Sequence, residues 1–180
     1  NNHWTFDARL SNIGTDGYID RASVDLNSYY LQGGYFAENT SVKLIAFAGK
    51  EKTYHAWGYA TKKEMADFGR RYNPCGEMYT DANGNKHFYD DQTDNYLQKN
   101  YQLLFNHTFS TAWNLNVALH YTKGDGYYEE YKDGRSLIEY GLKPFTIDGT
   151  EITKSDLVRQ KKMDNKFGGG VFSLNYTVNR

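Results

Sequence analysis

Aromatic and imidazole side chains cluster at two places in the sequence, where they offer ring stacking and hydrogen bonding. The first cluster runs from Tyr54 to Tyr59 and the second from Tyr127 to Tyr131. Tyrosine and tryptophan combine a large apolar plane with one polar atom, so such rings suit ligands with both flat and polar surfaces. The candidate ligand-binding residues are Tyr54, His55, Trp57, Tyr59, Tyr127, Tyr128 and Tyr131.

Positive charge is dense in two stretches, "GRRYNP" at 69–74 and "VRQKKMDNK" at 158–166. Arg70 and Arg71 in the first stretch are added to the candidate ligand-binding residues because guanidinium groups attract and bind anions. A solvated loop face is the alternative interpretation of both stretches.

Catalytic and metal-binding patterns are not found in the sequence. The single cysteine, Cys75, excludes an internal disulfide and any multi-cysteine metal site. None of the five histidines has a partner at the helical spacing of a metal-binding motif. The carboxylates of "EEYKD" and "YDDQTD" have no nucleophile or base placed with them. We therefore expect no enzyme activity, no cofactor and no bound metal.

One stretch, "MYTDANGNKHFYD", partly copies a calcium-binding loop. Asp81, Asn83 and Asn85 match its first three oxygen ligands, but Lys86 replaces the required glycine and Gln92 replaces the final glutamate. A hairpin turn at Asn83-Gly84 is the better interpretation. Residues 62–71, just before this stretch, contain neither proline nor β-branched residues and are predicted to include a short helix.

The elements that carry these residues are predicted to be β-strands, because apolar and polar residues alternate with a period of two. In "WNLNVALHYTK", for example, Leu115, Val117 and Leu119 oppose Asn114 and Asn116. Six strands are predicted, each about as long as a tilted membrane-crossing strand requires. They span residues 3–12, 25–36, 41–55, 96–109, 113–128 and 166–179.

The connections between these strands alternate in length. Short turns at 37–41 and 110–112 alternate with long loops at 13–24, 56–95 and 129–165, which places all long loops at one end. This asymmetry is typical of transmembrane β-barrels. Aromatic rings also fall at both ends of the strands, as in the girdles of such barrels. They are Trp4, Tyr35 and Trp113 at the short-turn end and Tyr54, Trp57, Tyr121, Tyr127 and Tyr128 at the loop end. A soluble β-sandwich or jelly roll also alternates and stays open as an alternative.

The composition fits a sheet with one apolar side and one side that faces water. Seventeen of the 180 residues are tyrosine, the mean hydropathy is -0.81 and the formal net charge is -1. The balanced charge gives no field that favours nucleic acid, and no apolar run is long enough for a transmembrane helix. The chain opens with "NNHWTF" in a strand pattern, which we interpret as the start of a piece from a longer polypeptide.

Several consecutive stretches resemble the barrel region of TonB-dependent outer-membrane receptors. They are "DGYIDRASVDLNSYYLQGGYF", "VKLIAFAGKEKTYHAWGY" and "GEMYTDANGNKHFYDDQTDNYLQKNYQLLFNHTFSTAWNLNVALHYTKGDGYYEEYK". The resemblance spans nearly the whole chain. It implies about six strands of a 22-stranded barrel, whose plug domain and TonB box are not present in this sequence.

The resulting expectation is an all-β fold: an antiparallel transmembrane β-barrel segment of about six strands, part of a larger barrel in the outer membrane. The resemblance implies import of a scarce nutrient, first a ferric siderophore or other iron complex, with cobalamin, haem or oligosaccharide as alternatives. The expected partners are the lipid bilayer, lipopolysaccharide, the nutrient ligand and TonB through another part of the chain, with no nucleic acid. A soluble carbohydrate-binding β-sandwich is the alternative class.

Overall fold

Six long antiparallel strands form one sheet in the computed structural model, which describes residues 3–178. The sheet order is β1-β2-β3-β6-β7-β10, and every neighbouring pair is antiparallel. Within residues 3–178 the sheet is open, with β1 and β10 as its edges. The elements in chain order are β1 (Trp4–Thr15), β2 (Val24–Phe36), β3 (Thr40–Tyr54), α1 (Lys62–Phe68), β4 (Glu77–Thr80), β5 (Lys86–Phe88), β6 (Thr93–Thr108), β7 (Trp113–Ser136), a 3-10 turn (Leu137–Tyr140), β8 (Phe145–Ile147), β9 (Thr150–Ile152) and β10 (Lys154–Tyr176).

The all-β class and the antiparallel six-stranded sheet predicted from the sequence are confirmed, but five of the six strands are longer than predicted. The long connections are 16–23, 55–92 and 137–153, so the predicted loop at 129–165 is wrong over most of its length. The continuation of β7 and β10 was not predicted because these parts of the strands lack the alternation of apolar and polar residues. Cross-strand ion pairs between charged residues take its place. Glu130, for instance, binds Arg159 directly across the two strands. Position 179 of the last predicted strand lies outside the described residues.

The register places the apolar rows of all six strands on one side of the sheet, the apolar face. Its middle row includes Phe6 of β1, Leu44 of β3, Leu103 of β6 and Leu119 of β7. These side chains are uncovered: Phe6 is 73% exposed and Leu44 is 61% exposed. Within residues 3–178 no second layer packs on this face.

Hydrogen-bonded side chains cover much of the opposite side, the polar face. The Asn106 amide donates to Asn116 at 2.6 Å, and Asn116 donates onward to Ser173 at 3.3 Å, which links β6, β7 and β10. Farther along, the Thr122 hydroxyl donates to Asn100 at 2.8 Å. Alternation along each strand therefore separates an apolar wall from a polar one.

Aromatic rings border the apolar face at both ends. At the short-turn end, Trp4 packs on Tyr35 with ring centroids 4.9 Å apart, and Trp113 packs on Tyr176 at 4.7 Å. At the other end, Tyr101 lies opposite Tyr121. Eight residue steps separate Trp113 from Tyr121, a span of about 27 Å along the strand.

The ring border predicted at the loop end is wrong for most of its members. Of the five residues, only Tyr121 borders the apolar rows; Tyr127 lies six residues beyond it. Tyr128 shares the parity of the polar face and contacts Trp57, and Tyr54 is buried beneath the loops. The longer strands explain the difference, since they carry these rings past the apolar rows.

Most of the small buried core lies where the long connections pack on the end of the sheet. Tyr54, Tyr72, Cys75 and Leu137 belong to it. The predicted short helix is confirmed as α1, which begins with a capping box between Thr61 and Glu64.

The predicted hairpin is formed by β4 and β5. Its turn is held by the Asp81 carboxylate, which accepts backbone hydrogen bonds from Asn83 and Asn85 at 2.9 and 2.8 Å. The hydrogen bonds from the backbone and side chain of Asn85, with smaller contributions from His87 and Asn83, lower the Asp81 pKa to about 2. Among the described residues, no helix has the length and apolarity to span a membrane.

A glycine in β7 is expected to be indispensable for close packing. A Cβ atom at Gly126 would overlap the Asn95 carbonyl oxygen and the Tyr96 backbone, which cannot move away without breaking the β6–β7 pairing. Gly126→Ala is expected to lower the free energy of unfolding by about 1–3 kcal/mol. Gly49→Ala is the matched control, because a Cβ atom there meets nothing within 4 Å. Urea unfolding of both variants checks this, and equal midpoints would contradict it.

Candidate ligand site

The candidate site lies on the polar face near the long loops, where β3 ends and β7 continues. Pairing places Asp94 of β6 opposite Tyr128 of β7, and Tyr128 opposite Lys161 of β10. The chain leaves β3 after Tyr54, and the His55 amide donates to the Gln92 carbonyl at 2.8 Å. These contacts fix His55 beside the row formed by Asp94, Tyr128 and Lys161.

Three rings meet at this point. His55 lies against Trp57 with ring centroids 3.8 Å apart and planes inclined by 30°. The Trp57 ring meets Tyr128 edge to face at 6.2 Å and 88°. Trp57 is 53% exposed, whereas His55 is only 2% exposed. The arrangement is an exposed indole supported from behind by a buried imidazole.

His55 is the electrostatically unusual member of the site. Both of its ring nitrogens are buried without a hydrogen-bond partner among the described residues. Its Nε2 atom lies 3.7 Å from a carboxylate oxygen of Asp94, too far for a hydrogen bond. Burial lowers the pKa of His55, and the nearby Asp94 and Glu130 carboxylates oppose this shift only in part.

Charged groups of both signs surround the rings. Lys161 Nζ lies 5.3 Å from the centroid of the Tyr128 ring, a cation-π distance. Glu130, which is 8% exposed, binds Arg159 and forms an ion pair with Lys132 at 3.3 Å. The site thus offers an aromatic surface with one carboxylate, Asp94, and one ammonium group, Lys161, beside it.

The side chains gathered here have the chemistry for binding a ligand. A planar or ring-shaped ligand can stack on Trp57 and hydrogen-bond to Tyr128, Asp94 and Lys161. Within residues 3–178 no cluster of three or more His, Cys, Asp or Glu side chains is arranged to hold a metal ion.

Of the residues predicted from the sequence, the structure brings together His55, Trp57 and Tyr128. Tyr54 lies elsewhere: its hydroxyl donates to the Tyr89 carbonyl at 2.8 Å, and it is 7% exposed. Tyr131 donates to Asp156 at 2.6 Å, which raises the Tyr131 pKa to about 12. Tyr54 and Tyr131 therefore hold the loops and strand ends in place.

The other predicted residues are scattered over the loop end. Tyr127 is opposite Asn95 and Lys162 on the apolar face. Tyr59 is 96% exposed. Arg70 is exposed, and Arg71 pairs with Asp20 at 3.3 Å. None of these four residues contacts the ring cluster.

Asp94 was missed by the sequence reasoning, and Lys161 was noted only as part of the basic stretch 158–166. Both lie in stretches that it assigned to loops, so no face was predicted for them. The alternation along β7 was the available signal, because continuing it from His120 to Tyr128 places Tyr128 on the polar face. Asp94 and Lys161, which lie opposite Tyr128 on the neighbouring strands, are then on the same face.

Comparison with known proteins gave no match to a family model, a curated protein or a solved structure. The resemblance to TonB-dependent receptors therefore stays a prediction, and function is inferred from the sheet and the site.

Acid is expected to loosen the contact between His55 and Trp57. The His55 pKa is lowered from 6.5 in the folded loop, whereas an opened loop releases the imidazole to titrate near its ordinary value. Between the lowered and the ordinary pKa of His55, the open state binds more protons than the folded one. The contact between His55 and Trp57 therefore weakens as the pH falls below about 6.5. Acrylamide quenching of Trp57, with Trp4 and Trp113 replaced by Phe, should rise in this range. It should stay flat in His55→Gln, and a flat response in both proteins would contradict the prediction.

Proposed function

We propose that the chain forms part of the barrel wall of a TonB-dependent outer-membrane receptor that imports a scarce nutrient. A ferric siderophore or other iron complex is the first candidate for the cargo. The observation that carries this proposal is the uncovered apolar face, which spans all six strands in register between two borders of aromatic rings.

The dimensions of this face support the proposal. With strands tilted by about 40°, the 27 Å from Trp113 to Tyr121 corresponds to roughly 20 Å of height, close to the apolar band of outer-membrane barrels. The open edges at β1 and β10 also require further strands, since unpaired backbone groups are not tolerated in lipid.

The arrangement of the two faces disfavours the alternative, a soluble β-sandwich. In a sandwich, alternating apolar residues pack against a second sheet about 10 Å away. Leu44 and Phe172 instead remain 61% and 68% exposed, and the two further sheets in residues 3–178 are short hairpins.

In the proposed receptor, the polar face lines the lumen and the candidate site lies near its outer opening. Trp57 and Tyr128 offer stacking surfaces for a catecholate, a haem, a corrin or a sugar ring. This segment contributes wall and capture loops, and energy coupling through TonB belongs to other parts of such a receptor.

Growth and uptake assays test the proposed activity. A strain that lacks the full-length gene should lose growth on one class of nutrient, supplied as single iron chelates, haem, cobalamin or oligosaccharides. Restoring the gene should restore uptake of that same nutrient. Unchanged uptake of every compound in the deletion strain would overturn the importer proposal.

The Trp57 ring is expected to contribute directly to ligand affinity. Trp57→Ala in the full-length protein should weaken binding of the imported ligand about tenfold, because one stacked ring contributes up to about 1.5 kcal/mol. Tyr59→Ala is the control, since Tyr59 is exposed and lies outside the ring cluster. Titration of both variants by calorimetry checks this, and equal losses would contradict the site.

A further inference from the structure

A cavity of about 660 Å³ opens on the polar face, over strands β1, β2, β3 and β6. Its lining includes a row of residues that lie directly opposite one another on these four strands: Arg9, Tyr30, Phe47 and Asn100. Three strand spacings separate the first residue of the row from the last, so their Cα atoms are about 14 Å apart. The register therefore places a guanidinium group and an amide on opposite sides of two rings.

This cavity is separate from the ring cluster of His55, Trp57 and Tyr128. Asn100 lies six residues along β6 from Asp94, toward the short turns, which corresponds to about 20 Å of strand. None of the candidate ligand-binding residues predicted from the sequence lines the cavity. It is a second place on the polar face where a ligand can bind.

Arg9 supplies the charge of this cavity, because the other described residues in its lining are uncharged. Its side chain is exposed, and Nε donates to the Ser11 hydroxyl at 3.1 Å. Among the described residues, no carboxylate lies within 4 Å of its guanidinium group. Asp7, two residues away on the same face of β1, instead accepts from Gln32 at 3.1 Å. The terminal nitrogens of Arg9 are therefore free to bind an anion.

Two rings form the wall beside Arg9. Tyr30 and Phe47 have ring centroids 6.4 Å apart, with planes inclined by 31°. The Tyr30 hydroxyl donates to Gln32 at 2.8 Å, and Gln32 donates onward to Asp7. Gln32 lies outside the lining, so this chain of hydrogen bonds leads away from the cavity and holds the Tyr30 ring in place.

Amide groups border the other side of the cavity. The Asn100 carbonyl oxygen accepts from the Thr122 hydroxyl at 2.8 Å, and this bond orients the Asn100 side chain. Gln98 lines the same side, opposite Gly49 of β3. A Cβ atom at Gly49 would meet nothing within 4 Å, so the space above this part of the floor is open.

The combination of groups in the lining selects among ligands. A guanidinium group binds a carboxylate through two parallel hydrogen bonds, and aromatic walls pack on a planar group. A neutral sugar would leave Arg9 without a counter-charge, whereas inorganic phosphate would leave the rings uncovered. A carboxylate attached to a planar group uses both features.

We propose that this cavity binds a planar carboxylate, with the carboxylate on Arg9 and the plane against the Tyr30 and Phe47 rings. Asn100 then hydrogen-bonds a substituent at the far end. The proposal rests on the proposed function in one respect: it makes the cavity a second binding station for the cargo, about 20 Å along the lumen wall from the ring cluster. It assigns to the cargo a carboxylate on a planar group.

Binding of 4-fluorobenzoate to the full-length protein in detergent tests this site, with fluorine NMR as the readout. Arg9→Gln removes the positive charge and should weaken binding about tenfold, because hydrogen bonds to charged groups are stronger than neutral ones. Lys43→Gln is the control and should keep the wild-type affinity, since it removes a positive charge from the polar face outside the cavity lining. The neutral analogue 4-fluorobenzamide should bind about tenfold more weakly than 4-fluorobenzoate to the unaltered protein.

Three results would overturn the site. They are equal 4-fluorobenzoate affinity in Arg9→Gln and wild-type protein, equal affinity of the wild type for the acid and the amide, and no binding of the acid to the wild type. The last result is expected if another part of the full-length protein fills the cavity. Nutrient uptake is measured in parallel. Gene-dependent uptake together with any of the three results would refute the cavity alone, whereas Arg9-dependent binding without gene-dependent uptake would refute the proposed function and retain the site.

Discussion

Asn73→Ala is expected to undock the two long connections that carry the candidate site. The Asn73 side chain is buried, at 1% exposure, and joins three backbone groups. Its amide donates to the carbonyls of Asp20 and His55 at 3.0 and 2.9 Å, and its carbonyl accepts from the Cys75 amide at 3.0 Å. Alanine leaves these three groups unpaired, at a cost of about 1–3 kcal/mol for each buried one.

The expected loss is about 3–6 kcal/mol in the free energy of opening of residues 16–23 and 55–92. Arg21 cannot compensate, because it binds the Asn73 backbone carbonyl and stacks on Phe88 with its guanidinium carbon 3.4 Å from the ring centroid. Hydrogen exchange of peptides from both connections measures the loss. Asn83→Ala, in the exposed hairpin turn, is the control and should leave this exchange unchanged. Equal protection in Asn73→Ala and wild-type protein would contradict the role of Asn73.

Leu119→Arg is expected to destabilise the protein strongly in a bilayer. Leu119 lies in the middle row of the apolar face, beside Leu103 of β6, so the proposed function puts its side chain near the bilayer midplane. An arginine facing lipid at that depth costs about 2–4 kcal/mol. Urea unfolding of the full-length protein in phospholipid bilayers measures the change.

The neighbouring residue provides the control for this prediction. His120 has the opposite parity and lies on the polar face between Gln102 and Gly169. In the proposed lumen, His120→Arg keeps its charge in contact with water and should change the free energy of unfolding by less than about 1 kcal/mol. A loss in His120→Arg as large as in Leu119→Arg would contradict the assignment of the two faces.

The sequence allowed the strands and their faces to be predicted where one face is apolar. Leu115, Val117 and Leu119 alternate with asparagine and alanine, and this pattern indicates both the element type and which residues lie on the apolar face. Where β7 and β10 leave the apolar rows, charged residues occupy both faces and the pattern disappears. Cross-strand pairs such as Glu130 with Arg159 sustain the strands there, and a single strand's sequence does not show them.

The candidate site was predictable only in part for the same reason. His55, Trp57 and Tyr128 attracted attention as rings, but their convergence depends on strand pairing between residues far apart in sequence. Tyr54 has the same kind of ring, but its hydroxyl donates to the backbone carbonyls of Tyr89 and Cys75 and the side chain lies outside the site. Residue type indicated the possible chemistry, and register decided which rings share a site.

The most direct test of the central claim compares adjacent residues of β7 in a membrane. Nitroxide labels are attached at Val117→Cys and Asn116→Cys in full-length protein with Cys75 replaced by serine, and collisions with oxygen and with a water-soluble nickel chelate are measured. Oxygen should dominate at position 117, on the apolar face, and the chelate should dominate at position 116, on the polar face. A label at position 117 that is shielded from oxygen, or reached equally by the chelate, would contradict a wall that faces lipid.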